Sequence, residues 1–410
     1  MQSEDGWGSV FSASMSNEGK AKLTRREMLR ASLTAGGAAL VGFHDFSLPD
    51  FFGSAREDAS KGGKYLGLIE FVGEGLIPME TPMGAGLDGR LYTDLSAISP
   101  DNPTTPREKF YLRTRASEYL EDGQPWVIKA RGLRSQPTQI SMADLRRMSR
   151  PAGLHLMECS GNARFAHFGM LSVADWAGVP VSKIIDSARI ENPASRVLIS
   201  GFDRYPIASS TSLPGASWIF TVDQLNSSKA FFATGMNGVS LTKDHGAPVR
   251  LVVPGWYGCT CIKWVDEITL VGEDAPATSQ MQEFATRTMQ QGVPELAKDY
   301  QPAIIEQAAM PIRVEKWRID RKIKYRVNGI AWGGSRPVSD LDIRFNAGED
   351  FVLVDDFKQT ANDPWSFWTH AWTPVKPGIY AIQLRVKDSS VPSRRLNSGY
   401  YVRSVEVTEI

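Results

Sequence analysis

The sequence contains little cysteine, with only Cys159, Cys259 and Cys261 among 410 residues. Three cysteines cannot build a disulfide framework, and they are too few for a four-cysteine iron–sulfur or zinc site. The five histidines show no H-x-x-x-H spacing, so the sequence does not predict a histidine-built zinc site. It also contains neither the G-x-S-x-G motif of serine hydrolases nor a P-loop.

The chain likewise has no excess of charge of either sign. Its 46 lysines and arginines balance 46 aspartates and glutamates. A net charge near zero gives no support to nucleic-acid binding, which depends on neutralising phosphates. The contents of 42% hydrophobic and 22% charged residues are typical of a soluble globular protein and exclude a polytopic membrane protein. At ~150 residues per domain, a chain of this length predicts two or three domains.

The first 55 residues have the pattern of an export signal followed by a linker. The pair Arg25-Arg26 precedes a mostly apolar run from Ala31 to Phe43, which is shorter than the ~20 apolar residues that span a bilayer. This order is typical of a secretory signal, and the adjacent arginines resemble the twin-arginine type. The alternative is a basic patch that opens an amphipathic helix. We expect a periplasmic protein, with Ser54-Ala55 as a cleavage point or with an uncleaved tether.

Residues 60–300 mix short strand and helix patterns in irregular order, which favours an α+β fold. Trp126–Ala130 and Val249–Val253 have the composition of strands. Ser141–Asp144 and Ser172–Asp175 both have the capping-box form that starts a helix.

Residues 301–410 have a different pattern, in which apolar and polar residues alternate. The alternation is clear around Tyr325, Ile343 and Ile382, and clusters of glycine, proline, asparagine and aspartate separate these segments. Period-two strands without helical stretches predict a β-sandwich of ~100 residues.

One glycine motif, Gly84-x-Gly86-x-x-Gly89, has the letters of the dinucleotide fingerprint. That fingerprint needs a strand before it and a helix after it, and the preceding Pro78 and Pro82 do not form such a strand. We interpret the motif as a loop.

The stretch Glu158–Arg164 is the first candidate for chemistry. Cys159 follows the apolar run Leu154–Met157, where a strand gives way to small residues, so its thiol can face a cleft. Arg164 is near enough in sequence to lower the pKa of that thiol. The alternative is an inert buried cysteine. A Cys259–Cys261 disulfide would be strained, so we expect both to be thiols.

The second candidate is a group of three donors, His245, Arg250 and Lys263, that fall within nineteen residues. Arginine and lysine at strand ends suit a ligand that carries a phosphate or a pterin. The alternative is a solvated basic rim.

Taken in order along the chain, these pieces resemble the sulfite oxidase family of molybdopterin enzymes. The resemblance runs from about residue 65 to 410. The matching segments are Phe110–Arg115, Cys159–Arg164, Gly169–Pro180, Gly201–Asp203, Met236–Gly238 and Lys243–Trp264. The resemblance implies a molybdopterin-binding catalytic domain over residues 60–300, followed by an immunoglobulin-like β-sandwich that forms a homodimer.

The resemblance also assigns roles to individual residues. Cys159 would bind molybdenum through its thiolate, a soft ligand suited to such a centre. Arg113 and Arg164 would face the substrate anion, and Arg394 would be a third arginine, contributed by the sandwich. The residues expected to hold the cofactor are Tyr111, Leu112, Arg113, Thr114, Arg115, Asp203, His245, Arg250, Cys261, Ile262 and Lys263.

The implied reaction is oxygen-atom transfer to sulfite or a related sulfur oxyanion. The sequence has no haem-attachment C-x-x-C-H motif, so we expect the electrons to pass to a separate c-type cytochrome. No tyrosine lies between Val265 and Asp299, where sulfite-oxidising members carry one, and Phe284 falls near that position. The Glu158-Cys159 pair is closer to the sulfane dehydrogenase subunit. A sulfoxide reductase with the same cofactor and a non-catalytic secreted binding protein are the alternatives.

Overall fold

The computed structural model describes residues 63–132, 138–187, 196–209, 215–361 and 363–410. Five α-helices lie in this part of the chain: α1 Met142–Met148, α2 Val181–Ser187, α3 Val222–Ser227, α4 Ser279–Glu283 and α5 Arg394–Asn397. The strands are β1 Lys64–Ile69, β2 Phe71–Val72, β3 Val127–Arg131, β4 Thr138–Ser141, β5 Arg150–Glu158, β6 Leu171–Pro180, β7 Arg196–Gly201, β8 Ser217–Phe220, β9 Phe231–Met236, β10 Val239–Ser240, β11 Arg250–Val252, β12 Val265–Val271, β13 Ala308–Ile319, β14 Lys322–Trp332, β15 Leu341–Arg344, β16 Val352–Leu353, β17 Asp356–Phe357, β18 Trp365–Trp372, β19 Gly378–Val386 and β20 Arg403–Val407.

Two sheets and four of the helices form the first half of the fold. One sheet has the order β4-β3-β12-β7-β8, and the other has the order β10-β9-β6-β5 with β11 also paired to β9. Nearly all of these pairs are antiparallel, while β3 and β12 run parallel. Because helices and mostly antiparallel strands are mixed without βαβ repetition, the predicted α+β class is confirmed.

Two further five-stranded sheets build the second half, with the orders β1-β13-β14-β18-β17 and β16-β15-β19-β20-β2. The segments predicted from alternation around Tyr325, Ile343 and Ile382 are β14, β15 and β19. Their apolar side chains are buried because they face the interior between the sheets. The predicted β-sandwich is therefore confirmed.

The N-terminal strands β1 and β2 belong to the sandwich sheets. β1 pairs with β13 and β2 pairs with β20. The sequence analysis grouped both with the catalytic region that starts at residue 60, since nothing in two short strands indicates which sheet they join. The described part of the chain therefore starts in the sandwich, builds the first half and returns to the sandwich.

One predicted helix start is correct and the other is wrong. Ser141 caps α1, where its hydroxyl accepts a hydrogen bond from the Asp144 amide at 3.1 Å. Ser172–Asp175 instead lies inside β6, where it pairs with β5. Val173 and Ala174 are fully buried there, so strand pairing and burial outweigh the local capping signal.

The remaining local predictions can be assigned briefly. The strand predictions near Trp126 and Val249 correspond to β3 and β11. The glycine motif forms a loop with a 3₁₀ turn at Gly86–Asp88. Within the described ranges no helix is both long and apolar enough to cross a bilayer. The twin-arginine segment and the Ser54-Ala55 cleavage point lie outside the described residues.

Candidate functional site

A cavity in the first half of the fold brings most of the predicted site residues together. Ten of those predicted residues line it: Tyr111, Leu112, Arg113, Thr114, Cys159, Asp203, Arg250, Cys261, Ile262 and Lys263. They come from four separate segments of sequence, so the cavity exists only in the folded chain.

The Cys159 thiol sits at the start of the loop that joins β5 to β6. The Cys159 amide donates to the Met170 carbonyl at 2.9 Å, which continues the β5–β6 pairing to the end of the loop. The Gly161 amide lies 3.4 Å from the Cys159 sulfur. Cys159 is buried, at 5% exposure, and the residue lines the cavity wall. The expected position of the thiol, in a cleft at a strand end, is what the structure shows.

The cations that act on this thiol differ from the one expected. Burial raises the pKa of Cys159 above its ordinary value, while Arg113, the Gly161 amide and Arg90 lower it in part. Arg164, which the sequence suggested as the source of positive charge, is exposed and does not line the cavity. The prediction that Arg164 lowers the pKa of the thiol is therefore wrong. Arg113 and Arg90, which are far from Cys159 in sequence, are the cations that lower the pKa of the thiol.

Arg90 is held rigidly beside Arg113. Its Nη1 donates to the carbonyls of Leu87 at 2.9 Å and Gly89 at 2.8 Å, and also to the Arg113 carbonyl. Burial and the nearby Arg113 lower the pKa of Arg90 to about 10. Two guanidinium groups thus raise the positive potential near Cys159.

The His245 side chain lies outside the cavity lining and holds a neighbouring backbone segment in place. Its Nε2 donates to the Phe110 carbonyl at 3.0 Å, and its Nδ1 accepts from the Thr242 hydroxyl at 2.7 Å. Burial lowers the pKa of His245 to about 4, so the ring is neutral near neutral pH. Both ring nitrogens have protein partners and His245 is not among the residues that line the cavity, so the side chain orients the segment that starts at Tyr111.

Arg115 also acts on the frame of the cavity. Its Nε pairs with the Asp244 carboxylate at 3.2 Å, and the other Asp244 oxygen accepts from the Ala116 amide at 2.7 Å. The Arg115 stem covers Gly89, where a Cβ atom would clash with it. Arg115 therefore ties three loops together and, like His245, is absent from the lining.

Two buried cations face the cavity from the β11–β12 side. Lys263 Nζ donates to the backbone carbonyls of Thr114 at 2.6 Å and Asp244 at 3.0 Å. Arg250 donates from Nη1 to the His245 carbonyl at 3.1 Å and from Nη2 to the Cys261 carbonyl at 3.2 Å. Burial lowers the pKa of both groups, which means that a bound anion would stabilise their charged forms.

Asp203 and the two remaining cysteines complete the polar part of the wall. The Asp203 carboxylate accepts from the backbone amides of Ala216, at 2.9 Å, and Gly215. Cys259 and Cys261 are buried thiols, as expected, although Cys259 lies in a 3₁₀ turn and not in a strand.

Arg394, the predicted third substrate arginine, lies elsewhere. Its guanidinium pairs with Glu306 at 3.0 Å and its side chain is half exposed; it is not among the residues that line the cavity. The adjacent Arg395 is the one that approaches the Cys159 loop, at 3.1 Å from the Asn162 carbonyl.

Ten further residues line the cavity and were not among the predicted site residues. They are Leu87, Met157, Ser160, Ala216, Gly258, Cys259, Trp264, Gln280, Glu283 and Phe284. Phe284 was noted only by its position relative to the missing tyrosine. Glu283 comes from α4, and partial burial raises the pKa of its carboxyl group while Arg113 opposes that shift.

A second cluster braces the far end of the Cys159 loop. His167 has a left-handed backbone (φ 51°). Its Nδ1 lies 2.7 Å from the buried Glu74 carboxylate, and its Nε2 lies 2.7 Å from the Gly75 carbonyl. Glu74 also pairs with the buried Arg403 of β20, at 2.6 Å. The hydrogen bond to Glu74 raises the pKa of His167, which burial and Arg403 oppose.

Substituting His167 by asparagine, which tolerates the left-handed backbone, is expected to change how stability depends on pH. The pKa of His167 is raised in the folded protein, so its pairing with Glu74 stabilises the fold fully below pH ~6.5, the pKa in the unfolded chain. This stabilisation is lost as the pH rises through the pKa in the folded protein. The free energy of unfolding should therefore fall by about 1 kcal/mol at pH 5.5 and by less at pH 9. Urea denaturation at both pH values measures this difference.

His155 supplies a matched control for this experiment, because burial lowers its pKa. His155→Asn should show the opposite trend, with the smaller loss at low pH. A loss for His167→Asn that is the same at pH 5.5 and pH 9 would contradict the assigned role of Glu74.

The wall chemistry fits the molybdopterin that the resemblance implies. Arg250 Nε is buried and has no hydrogen-bond partner within the described part of the chain, and Lys263 donates to backbone carbonyls. Buried cations with unused donor capacity suit a phosphate group. A thiol lies in the same wall, and soft sulfur suits molybdenum. Among the described residues no group of three histidine, cysteine or acidic side chains forms a metal site. The resemblance implies Cys159 as the protein's ligand to molybdenum.

Comparison with known proteins supports a molybdopterin cofactor. Residues 116–279 match the family described as the oxidoreductase molybdopterin-binding domain. Human mitochondrial sulfite oxidase is 24% identical over 335 residues, which cover 76% of this chain and 59% of that protein. The NADPH nitrate reductase of Beauveria bassiana is 25% identical over 65% of this chain and 34% of that protein.

The fold has a solved counterpart as well. The structure of the sulfane dehydrogenase SoxCD from Paracoccus pantotrophus aligns with a TM-score of 0.58 at 16% identity, over 92% of this chain and 97% of that one. The alignment covers both halves of the fold. The chain spans less than two thirds of the length of the curated relatives named above.

Proposed function

We propose that this chain, which belongs to the sulfite oxidase family of molybdopterin proteins, is an oxidoreductase that acts on sulfite or a related sulfur oxyanion. The observation that carries the proposal is the cavity in which a buried thiol, Cys159, lies under the positive charge of Arg113 and Arg90. A small oxyanion loses its hydration when it enters such a site. Charge-assisted hydrogen bonds of roughly 1.5–3 kcal/mol each offset that loss.

Different residues would hold different parts of the cofactor. Lys263 and Arg250 would neutralise the pterin phosphate, and Asp203, held by two backbone amides, would accept from the pterin ring. The Cys159 thiolate would bind molybdenum. His245 and Arg115 keep the Tyr111–Arg115 segment in place from outside the cavity.

When bound, the cofactor supplies oxygen-atom transfer and two-electron redox chemistry. The chain itself orients the substrate: Arg113 binds the anion near the thiol, and Phe284 narrows the cavity with an apolar ring. We propose that a c-type cytochrome accepts the electrons, that the protein is exported to the periplasm, and that it works as a homodimer.

A reductase acting on sulfoxides is the second candidate, favoured by one observation. Phe284 lines the cavity near the place expected for the tyrosine of sulfite-oxidising relatives, and its ring has no hydroxyl to donate to an anion. A neutral sulfoxide needs less hydrogen bonding than a dianion does. The nitrate reductases among the relatives make nitrate a third substrate to test.

Protein purified with its molybdenum cofactor is expected to reduce cytochrome c when sulfite or another sulfur oxyanion is added. The same preparation should oxidise a reduced dye only slowly with methyl sulfoxide or nitrate. Spectrophotometric assays at equal molybdenum content give the comparison. Dye oxidation without sulfite-dependent cytochrome reduction would reject the proposal in favour of a reductase, and a chain that takes up neither molybdenum nor pterin in a competent host would reject both.

A further inference from the structure

The Glu158 carboxylate, next to Cys159 in sequence, is completely buried. Its Oε2 accepts from the Trp332 indole at 2.8 Å. Its Oε1 accepts from the Tyr401 hydroxyl at 3.2 Å and lies 3.5 Å from the Arg395 guanidinium. A buried carboxylate is tolerated only when it is paired and hydrogen-bonded in this way.

All three of these partners come from the C-terminal sandwich. Trp332 ends β14, Arg395 lies in α5, and Tyr401 lies just before β20. The residue adjacent to the cavity thiol is therefore held mainly by side chains from the other half of the fold, while from its own half the Asn162 side-chain amide donates to Oε1 at 3.4 Å. The indole of Trp332 also packs edge to face on the Tyr401 ring, with 5.2 Å between the ring centroids, which limits the movement of both donors.

Arg395 holds the same loop at a second point. Its Nη2 donates to the Asn162 carbonyl at 3.1 Å, and the Tyr400 hydroxyl donates to that same oxygen at 2.5 Å. The guanidinium stacks 3.8 Å above the Tyr400 ring. Asn162 in turn donates its amide to the Cys159 carbonyl at 3.0 Å and accepts from the Met170 amide at 3.1 Å. Both sides of the loop are thus fixed.

We propose that Glu158 is a positioning residue through which Arg395 and Tyr401 of the sandwich set the direction of the Cys159 thiol in the cavity. The cavity wall supplies the thiol, while the sandwich supplies the charge and hydrogen bonds that keep it from turning. The proposal rests on the proposed function only in treating Cys159 as the reactive thiol. On this proposal, the sandwich contributes to the geometry of the site in the first half of the fold.

Tyr401→Phe is the sharpest variant for a test, because it removes one hydroxyl and keeps the packed ring. Tyr325→Phe is the matched control: this buried tyrosine of the sandwich donates to the Glu409 carbonyl at 2.5 Å, far from the loop in sequence. The readout is the rate at which iodoacetamide alkylates Cys159 in the full-length, cofactor-free chain, assigned by peptide mass spectrometry. Each variant is assayed at a temperature that lies equally far below its own unfolding midpoint.

We expect Tyr401→Phe to accelerate alkylation of Cys159 by about tenfold relative to Tyr325→Phe, the factor that one hydrogen bond to a charged group represents. Arg395→Met should accelerate alkylation further. Arg395→Lys restores one charge, so its rate should lie between the rates of Tyr401→Phe and Arg395→Met. Equal rates for Tyr401→Phe and Tyr325→Phe would overturn the proposal, because Glu158 would then stabilise the fold without orienting the thiol. Should Arg395→Met fail to fold, the tyrosine pair still decides the question.

The loaded enzyme supplies a second, independent readout. In Tyr401→Phe we expect kcat to fall several-fold with KM nearly unchanged, since the substrate arginine is untouched. A change confined to KM would contradict a positioning role for Glu158. If no sulfur oxyanion is turned over by the wild-type protein, the proposed function fails, while the alkylation rates still test the role of Glu158.

Discussion

Replacing Cys159 by serine is expected to reduce turnover on the order of 10³-fold or more, the scale seen when a central catalytic group is removed. A serine hydroxyl has a similar shape, but it is a hard and weakly acidic ligand, so it cannot replace a thiolate at a soft metal. Steady-state assays at measured molybdenum content, together with thermal unfolding, separate lost chemistry from lost folding.

Cys259→Ser is the matched control for this experiment. Cys259 is a buried thiol that lines the same cavity, and burial raises its pKa far above the ordinary value. We expect this variant to fold and to keep most of its turnover. Turnover by Cys159→Ser above one tenth of that of Cys259→Ser, at equal molybdenum content, would contradict the assignment of Cys159 as the metal ligand.

Replacing Arg113 by methionine is expected to lower kcat/KM for a sulfur oxyanion by about 10- to 150-fold, the equivalent of one charge-assisted hydrogen bond. Most of the loss should be in KM, because the arginine binds the anion in the ground state as well as in the transition state. Arg113→Lys should recover only part of the loss, since a lysine cannot form two parallel hydrogen bonds. Kinetics over a range of substrate concentrations give both parameters.

The comparison with other arginines makes this test specific. Arg336→Met removes an exposed guanidinium that pairs with Asp388 on the sandwich surface, and it should leave kcat/KM unchanged. The resemblance predicts that Arg164 and Arg394 also contact the substrate, whereas the structure places both outside the cavity lining. We therefore expect Arg164→Met and Arg394→Met to cost less than Arg113→Met. An equal loss in all three would show that the resemblance located the anion site better than the cavity does.

Much of the fold follows from local patterns in the sequence. The strands around Tyr325 and Ile382 were recognised because alternation is a property of a half-buried strand wherever it lies. Ser172–Asp175 misled the same reasoning: its capping box is a local signal, but the segment pairs with β5 and its side chains are largely buried. The assignment of β1 to the sandwich was out of reach for a similar reason, because only the distant β13 determines where it pairs.

The site residues also divide into those that a local sequence pattern indicates and those that only the folded chain brings together. Cys159 and Lys263 lie in recognisable segments, and the structure places both in the cavity wall. Arg90 and Glu283 carry no motif, and only the packing of the Arg90 loop and of helix α4 brings them to the site. Arg164 is a close sequence neighbour of Cys159 and yet is exposed, because the 3₁₀ turn at residues 164–166 directs it away from the cavity.

The sequence by itself determined the scarcity of cysteine, the balance of charge, the change from irregular to alternating patterns near residue 300 and the place of Cys159 at the end of a strand. These are properties of composition and short-range spacing. Only the tertiary structure decided which cations surround that thiol and which half of the fold restrains it. The physical reason is that electrostatic and hydrogen-bond partners are selected by distance in space: Arg90, Arg113 and Arg395 approach the Cys159 loop across long stretches of chain. No local pattern encodes that approach.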